Sequence, residues 1–223
     1  MKQENEQQLI YGTGNPAKVQ AMKRWLCGLP VTLTDLNEAA AKFDVILPRV
    51  EEIGKTPLEN ARVKSSAYYE CFQRPVFSCD SGLYLWNYET GEMLPEELQP
   101  GIFVRGREKR RYTDEELILH YIDLVKRYGP LKARYQNVIS LILPGGQCFE
   151  STDESLWGDF FLLTDTPHSK KISGFPLDSI SIQIKSGKYY YDLEGDIQDD
   201  VAAGDGFRHF FEKVINTAFW RDE

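Results

Sequence analysis

The sequence lacks the features that would place it at once among secreted, zinc-binding or membrane proteins. Its four cysteines form no CxxC pair and no metal-binding spacing, so we expect free thiols in a reducing cytoplasm. No apolar run approaches the length of a membrane span. The first six residues also lack the apolar core of a signal peptide. We therefore expect a cytoplasmic protein without a membrane partner.

The sequence also lacks a basic excess. Its formal charge of −8 excludes a general nucleic-acid binder, because such proteins need a basic face that neutralises phosphates. A small anionic substrate is not excluded, since a few lysines and a metal ion can reverse the potential in one cleft. The basic run between Arg105 and Arg111 is either such a patch or a solvated loop.

What the sequence contains is an alternation of strand and helix patterns. Asn15, Thr56 with Glu59, and Thr113 with Glu116 are typical helix N-termini. Strands are predicted at 8–11, 76–79, 133–143, 147–163 and 179–184, and helices at 16–29, 57–71 and 113–128. A final helix buries Phe207, Phe210, Phe211, Val214, Ile215 and Phe219. The order indicates one mixed α/β domain over residues 1–223, divided into two lobes around a groove.

The segment from Thr13 to Lys18 joins a predicted strand to a helix start. Free backbone N–H groups and the positive end of the helix dipole attract phosphate at such a junction. Gly14 permits close backbone approach, and Lys18 lies one turn into the helix. The Walker pattern is absent, and an ordinary capped helix is the alternative interpretation.

Acidic residues lie at two further junctions. Asp80 follows a buried strand and precedes Ser81–Gly82, so we expect it where the strand opens into a turn. Glu51–Glu52 precede the helix that carries Lys64. Magnesium sites are commonly built from one or two carboxylates together with substrate phosphates. The alternative is that the glutamates belong to a surface loop and that Lys64 is an exposed helical lysine.

Four motifs, in this order and spacing, resemble those of the inosine/xanthosine triphosphate pyrophosphatase family. They are Thr13-Gly14-Asn15 with Lys18, the segment from Glu51 to Lys64, Asp80-Ser81-Gly82-Leu83, and Pro100-Gly101-Ile102. The resemblance covers about residues 9–185. It implies a bilobed α/β fold with a long mixed sheet, flanking helices and a central substrate groove, and it implies a homodimer. It also implies Mg²⁺-dependent cleavage of a nucleoside triphosphate to a monophosphate and pyrophosphate.

The resemblance also implies roles for individual residues. Asp80, Lys64 and Lys18 are the expected catalytic residues, with Asp80 as the base for the attacking water, and Glu52 and Asp80 are the expected metal ligands. Phe175 is expected to stack on the base and Asp178 to help read it. The substrate-binding set is Thr13, Gly14, Asn15, Lys18, Lys64, Ser81, Gly82, Phe175 and Asp178.

Two of the departures from the family pattern concern the acids and the base-reading residues. Cys79 stands where the family usually has a second acid before Asp80, and Asp205–Gly206 stand where the family has His-Arg donors that read the purine. We interpret Asp205 either as the N-cap of the last helix or as a base contact. An enzyme is the expected function. A nucleotide-binding regulator with little turnover, or a structural protein with a vestigial cleft, is the alternative.

Overall fold

Seven strands form a mixed sheet, flanked by helices, in the computed structural model, which describes residues 7–106, 111–170, 176–193 and 201–219. The strands are β1 (Gln7–Tyr11), β2 (Val31–Asp35), β3 (Val76–Asn87), β4 (Leu131–Ile142), β5 (Cys148–Ser151), β6 (Phe161–Leu163) and β7 (Ser181–Gln183). The helices are α1 (Pro16–Trp25), α2 (Leu36–Phe43), α3 (Pro57–Phe72), α4 (Asp114–Tyr128) and α5 (Val201–Val214). The strand order is β2-β1-β3-β4-β6-β7, and β5 pairs with β4.

The pairing within this sheet is parallel at one end and antiparallel at the other. Strand β1 lies parallel to both β2 and β3, whereas β4, β5, β6 and β7 pair antiparallel. Parallel strands require crossover connections, and helices provide them here. The predicted mixed α/β fold with a mixed sheet is therefore confirmed. The central groove and the assignment of residues 1–223 to a single domain stay predictions.

The chain divides into two compact units. Unit 1 comprises residues 1–80, 137–157 and 201–223, and unit 2 comprises residues 81–136 and 158–200. In unit 1, Tyr11 stacks on Phe77 with ring centroids 4.4 Å apart, and Phe77 meets Phe211 edge to face at 5.0 Å. Unit 2 has its own core, in which Tyr121 and Leu83 are fully buried. Each unit thus buries its own apolar side chains.

The N-cap residues predicted from the sequence are the ones that begin α1, α3 and α4 in the structure. Asn15 and Thr56 are the N-caps of α1 and α3, each followed by proline, and Thr113 and Glu116 form both bonds of a capping box in α4. At α3 the second half of the box is displaced, because the Glu59 carboxylate accepts from the amide of Lys55 rather than from that of Thr56. Helix α1 ends at Trp25 rather than at position 29.

Several strand predictions were wrong in extent. The segment 147–163 is not one strand, since β5 ends at Ser151 and β6 begins at Phe161. The last predicted strand begins as the short 3₁₀ helix Pro176–Ile180 and becomes β7 only at Ser181. The unit formed by β2 and α2 was not predicted.

The predicted turn at Asp80 was also wrong. Strand β3 continues through Asp80, Ser81 and Gly82 to Asn87. Leu83 and Gly101 exchange two backbone hydrogen bonds of 2.9 Å each, and such pairing holds the chain extended beyond the turn-forming residues. Asp80 therefore projects from the middle of a strand.

Two further expectations concern the cysteines and membrane insertion. All four cysteines are free thiols, as predicted. Among the helices within the described ranges, none is both long and apolar enough to cross a bilayer.

Candidate functional site

Three charged side chains of unit 1 meet at one point. The Lys64 ammonium lies 3.2 Å from an Asp80 carboxylate oxygen and 3.5 Å from a Glu52 carboxylate oxygen. The Lys64 and Asp80 side chains are each only 13% exposed, whereas that of Glu52 is 52% exposed. A largely buried aspartate and a half-exposed glutamate thus share the ammonium group of Lys64. The structure brings together three residues that the sequence predicted separately.

Different elements supply these three side chains. Thr56 starts α3 by accepting the amide of Glu59, and Lys64 lies about two turns further along this helix. Asp80 lies on β3, three residues after Phe77, which pairs with Tyr11 of β1. Glu52 belongs to the irregular segment before α3. The cluster therefore depends on the packing of α3 against the parallel end of the sheet.

The loop from Thr13 to Lys18 begins at the carboxyl end of β1. The Asn15 side chain accepts from the amides of Ala17 and Lys18 at 2.9 and 3.4 Å, and the Thr13 hydroxyl accepts from the amide of Asn15 at 3.2 Å. The expectation that these helix-start amides are free was therefore wrong, because the cap residues satisfy them. The loop can still offer a phosphate the Thr13 hydroxyl as donor and the Lys18 ammonium.

The start of this loop requires glycine at position 12. A Cβ at Gly12 would lie 2.1 Å from the Ser78 hydroxyl and 2.9 Å from the Tyr68 ring. The backbone amide of Gly12 donates a hydrogen bond of 2.7 Å to the carbonyl oxygen of Phe77. Only glycine fits this close approach of β1 to β3. The pair of glycines flanking Thr13 was the available signal.

Cys79 lies beside Asp80 and links the loop to the charged cluster. Burial raises the pKa of the Cys79 thiol to about 12, and a hydrogen bond from Tyr11 and the positive charges of Lys18 and Lys64 only partly oppose that rise. Both lysines thus lie within electrostatic reach of one buried thiol. A thiol with so high a pKa is neutral near pH 7, so in the metal-free protein it adds no negative charge beside Asp80.

Two carboxylates of the cluster are the residues that could hold a divalent cation of the magnesium type. Glu52 and Asp80 supply the carboxylate oxygens that Mg²⁺ prefers, and they already surround a single positive charge. Over the described ranges, no three residues of the His, Cys, Asp and Glu types are placed to hold a metal. A cation at Glu52 and Asp80 would therefore need water or substrate oxygens to complete its shell, as is usual for Mg²⁺.

Comparison with known proteins identifies the family. Residues 9–186 match the sequence profile of the Ham1 family. The chain belongs to the Ham1 family. The resemblance drawn from the four sequence motifs is thereby confirmed.

One named relative and two solved structures are similar to this chain. A protein of Thermus thermophilus named dITP/XTP pyrophosphatase is 28% identical over 187 residues, which are 83% of this chain and 80% of the relative. The Ham1 protein structure from Coxiella burnetii matches with a TM-score of 0.67 at 19% identity, covering 95% of this chain and all of that one. The Staphylococcus aureus Ham1 structure matches with a TM-score of 0.64 at 21% identity, over 92% and 98% of the two chains. These structures support the fold.

Of the residues that the Ham1 resemblance assigns to the nucleoside, Ser81, Gly82 and Asp178 lie in unit 2. Ser81 and Gly82 are part of β3, Asp178 lies in the 3₁₀ helix Pro176–Ile180, and Phe175 lies outside the described residues. Burial raises the pKa of Asp178 to about 6. Burial also raises the pKa of Tyr135, and the negative charge of Asp178 adds to that effect. Tyr135 is thus a neighbour of Asp178 that no sequence motif indicated.

The two positions where the Ham1 pattern has His-Arg lie inside α5. Asp205 is exposed in the second turn of a helix that begins at Val201, so the interpretation of Asp205 as the N-cap was wrong. A Cβ at Gly206 would lie 1.9 Å from the backbone oxygen of Ser155. Any side chain at position 206 is therefore excluded by backbone of the same unit.

Two basic residues, Arg208 and His209, follow these positions in α5. The Arg208 guanidinium donates to the carbonyl oxygens of Trp25 and Cys27 at 3.1 and 2.8 Å, where it caps the C-terminal end of α1. The His209 side chain is exposed. The two hydrogen bonds of Arg208 thus join α5 to the end of α1 within unit 1.

Proposed function

We propose that this chain hydrolyses a nucleoside triphosphate to a nucleoside monophosphate and pyrophosphate, with Mg²⁺ as cofactor. The observation that carries the proposal is the junction of Lys64 with Glu52 and Asp80. The family assignment and the pyrophosphatase names of the relatives support it. Acids that hold a hard cation beside a lysine, close to the Thr13–Lys18 loop, are the groups that a polyphosphate requires.

Asp80 is the centre of the proposed mechanism. Its carboxylate accepts a proton from a water molecule whose oxygen attacks the α-phosphorus. The bond from the α-phosphorus to the bridging oxygen breaks, and pyrophosphate leaves with the electron pair. When bound by Glu52 and Asp80, Mg²⁺ would neutralise phosphate charge. Lys18 and Lys64 stabilise the charge that develops on the phosphate oxygens.

The remaining substrate contacts are proposed from the Ham1 resemblance. Thr13, Gly14 and Asn15 cradle the triphosphate. The nucleoside contacts assigned by the same resemblance are Ser81, Gly82, Phe175 and Asp178.

The base preference follows from the two departures in α5. Removing donors at positions 205 and 206 weakens recognition of a 6-oxo group, which is only an acceptor. A lost hydrogen bond of this kind is worth about 1.5–3 kcal/mol, or roughly tenfold to a hundredfold in selectivity. We therefore propose weak discrimination in favour of inosine and xanthosine triphosphates, or a shift to a base that presents an amino or N–H donor.

A panel of ribo- and deoxyribonucleoside triphosphates incubated with Mg²⁺ tests the proposal. Separation of the products distinguishes a monophosphate plus pyrophosphate from a diphosphate plus orthophosphate. We expect pyrophosphate, and kcat/KM across the panel gives the base preference. Release of orthophosphate alone, without even transient pyrophosphate, would contradict cleavage at the α-phosphorus. A preference of a hundredfold or more for inosine and xanthosine triphosphates would contradict the base proposal.

A nucleotide-binding regulator of the same fold is the second candidate, and Cys79 favours it. The neutral thiol leaves Asp80 without an acidic neighbour on β3, which would lower the affinity for a catalytic metal. Calorimetric titration with nucleotide and Mg²⁺ separates the two functions. Binding without product formation would support the regulator.

We further propose a homodimer and a cytoplasmic location, both from the family resemblance and the sequence composition. Light scattering after size-exclusion chromatography measures the oligomeric state.

A further inference from the structure

Asn60 is a buried polar residue in the first turn of α3. Its side chain is 2% exposed, and its Oδ1 atom accepts the backbone N–H of Gly54 at 2.8 Å. The donor lies in the segment that carries Glu52, outside the helix. A buried amide side chain thus holds the backbone of the segment before α3.

Two further observations show how tightly this contact is packed. A Cβ at Gly54 would lie 2.7 Å from both Asn60 Oδ1 and Glu59 Cβ, so position 54 accepts only glycine while the bond exists. The next amide, that of Lys55, donates to the Glu59 carboxylate at 2.6 Å. Two successive amides of the segment are therefore bound by side chains of the first helical turn.

Glu52 has little else to fix its position. Its side chain is 52% exposed and its contact with Lys64 is 3.5 Å long. The following residue, Ile53, has a side chain that is 78% exposed, so it contributes little packing. The Ile53 amide donates to the Glu51 carbonyl oxygen at 3.1 Å within the segment, and the nearest bond from the segment to α3 in sequence is that of Gly54, two residues away.

We propose that Asn60 is a positioning residue that locks Gly54 against α3 and thereby places the Glu52 carboxylate beside Lys64 and Asp80. The part of this proposal that concerns metal binding rests on the proposed function of the site. The lock itself does not, so the two are tested by separate measurements. Asn60 acts through Glu52 and touches neither metal nor substrate.

Hydrogen exchange, followed by mass spectrometry on peptides covering residues 50–56, tests the lock. Asn60→Ala removes the acceptor oxygen. Gly54→Ala keeps that acceptor, but its added Cβ pushes the Gly54 backbone away from Asn60. We expect the exchange of the Gly54 and Lys55 amides to become at least about tenfold faster in both variants, because a protecting hydrogen bond is lost. Asn60→Asp keeps the acceptor oxygen but buries a carboxylate, so the Gly54 amide should exchange more slowly in this variant than in Asn60→Ala.

Binding of Mn²⁺ in the presence of an α,β-methylene nucleoside triphosphate, measured by electron paramagnetic resonance, tests the positioning role. We expect the apparent dissociation constant to rise about fivefold to tenfold in Asn60→Ala and Gly54→Ala, the effect of one lost hydrogen bond to the loop. Ser65→Ala is the matched control. Ser65 is a fully buried polar residue of the same helix, and its hydroxyl lies 3.1 Å from the Arg62 carbonyl oxygen and 3.0 Å from the Ser140 hydroxyl. The Ser65→Ala variant should have a lower melting temperature than the parent and the same Mn²⁺ affinity.

Each outcome decides the proposal. Unchanged exchange in both alanine variants would overturn the lock. Faster exchange with unchanged Mn²⁺ affinity, or an equal loss of affinity in Ser65→Ala, would overturn the positioning role. If the parent protein binds neither Mn²⁺ nor the analogue, the proposed function fails and the role given to Glu52 fails with it. The exchange result then still shows whether Asn60 holds the loop.

Discussion

The contact of Lys64 with both acids predicts competition between its ammonium group and a divalent cation. A cation that binds Glu52 and Asp80 must weaken the contacts of 3.5 and 3.2 Å that Lys64 makes with them. We predict that Lys64→Met binds Mn²⁺ more tightly than the parent protein when no nucleotide is present. Turnover should fall in the same variant, because a phosphate-binding charge is lost.

The Asp80 contact sets the magnitude. Both of its partners are only 13% exposed, so water screens this pair weakly, and a hydrogen bond between charged groups is worth about 1.5–3 kcal/mol. The Glu52 contact adds little, since its carboxylate is half exposed and such pairs contribute about 0–1 kcal/mol. Releasing Asp80 from Lys64 should therefore raise the Mn²⁺ affinity by about tenfold to a hundredfold.

Electron paramagnetic resonance of Mn²⁺ measures this affinity directly, and melting curves with and without MgCl₂ provide a second measurement. Lys64→Met leaves a buried carboxylate unpaired, so its melting temperature should be lower without metal and should rise more when metal is added. Lys23→Met, which removes an exposed lysine of α1, controls for the change in net charge. A Lys64→Met protein that binds Mn²⁺ no more tightly than the parent would refute the competition.

Three further predictions concern single residues. Asp80→Asn should keep its fold, measured by circular dichroism, and lose about 10²–10⁴-fold in turnover; activity within a few fold of the parent would show that Asp80 is not the base. Burial raises the pKa of Asp178 to about 6, so the folded state binds this proton more tightly than the unfolded state does, and the stability contributed by Asp178 falls as the pH rises from about 4 to 6. In urea unfolding at pH 8, the free energy of unfolding of Asp178→Asn should therefore exceed that of the parent by roughly 1–3 kcal/mol, and at pH 4 the difference should be small. An equal difference at both pH values would exclude titration as the cause. Gly206→Ala should lower the melting temperature, because its Cβ would meet backbone at 1.9 Å, and an unchanged value would show that α5 shifts freely.

Local signals in the sequence sufficed for some elements and not for others. Helix α4 was predicted with both boundaries because Thr113, Glu116 and Gly129 specify its ends within a few residues. The β2–α2 unit was missed although Asp35 caps α2 by accepting from the amides of Asn37 and Glu38 at 2.9 Å. Its strand pairs in parallel with β1 over five residues, and that pairing is a tertiary contact that a short window of sequence does not contain.

Position 205 shows where a local rule was overridden. Aspartate is favoured at helix N-termini, but α5 already begins at Val201. Glycine in a helix costs about 0.5–1 kcal/mol relative to alanine, and Gly204 and Gly206 allow α5 to approach Trp25 and Ser155 closely. Packing over these glycines is a tertiary effect that no short window of sequence contains.

The candidate site was predictable as a set of residues but not as a geometry. Motif order selected Lys64, Glu52 and Asp80, yet their shared contact depends on how α3 packs against the sheet. The satisfied amides at Asn15 and the lock at Asn60 depend on side-chain rotamers and distances. Such details are set by the whole of unit 1 rather than by any one motif.

The burial of Cys79 has a consequence for oxidative chemistry. Burial raises the pKa of the Cys79 thiol to about 12, so little of it is ionised near pH 7, and the thiolate is the form that peroxides and alkylating reagents attack. Cys27 and Cys148 are exposed, so reagents meet these thiols first. The residue next to Asp80 is thus chemically inert, and thiol modification of this protein would proceed at its surface while β3 stays unmodified at its centre.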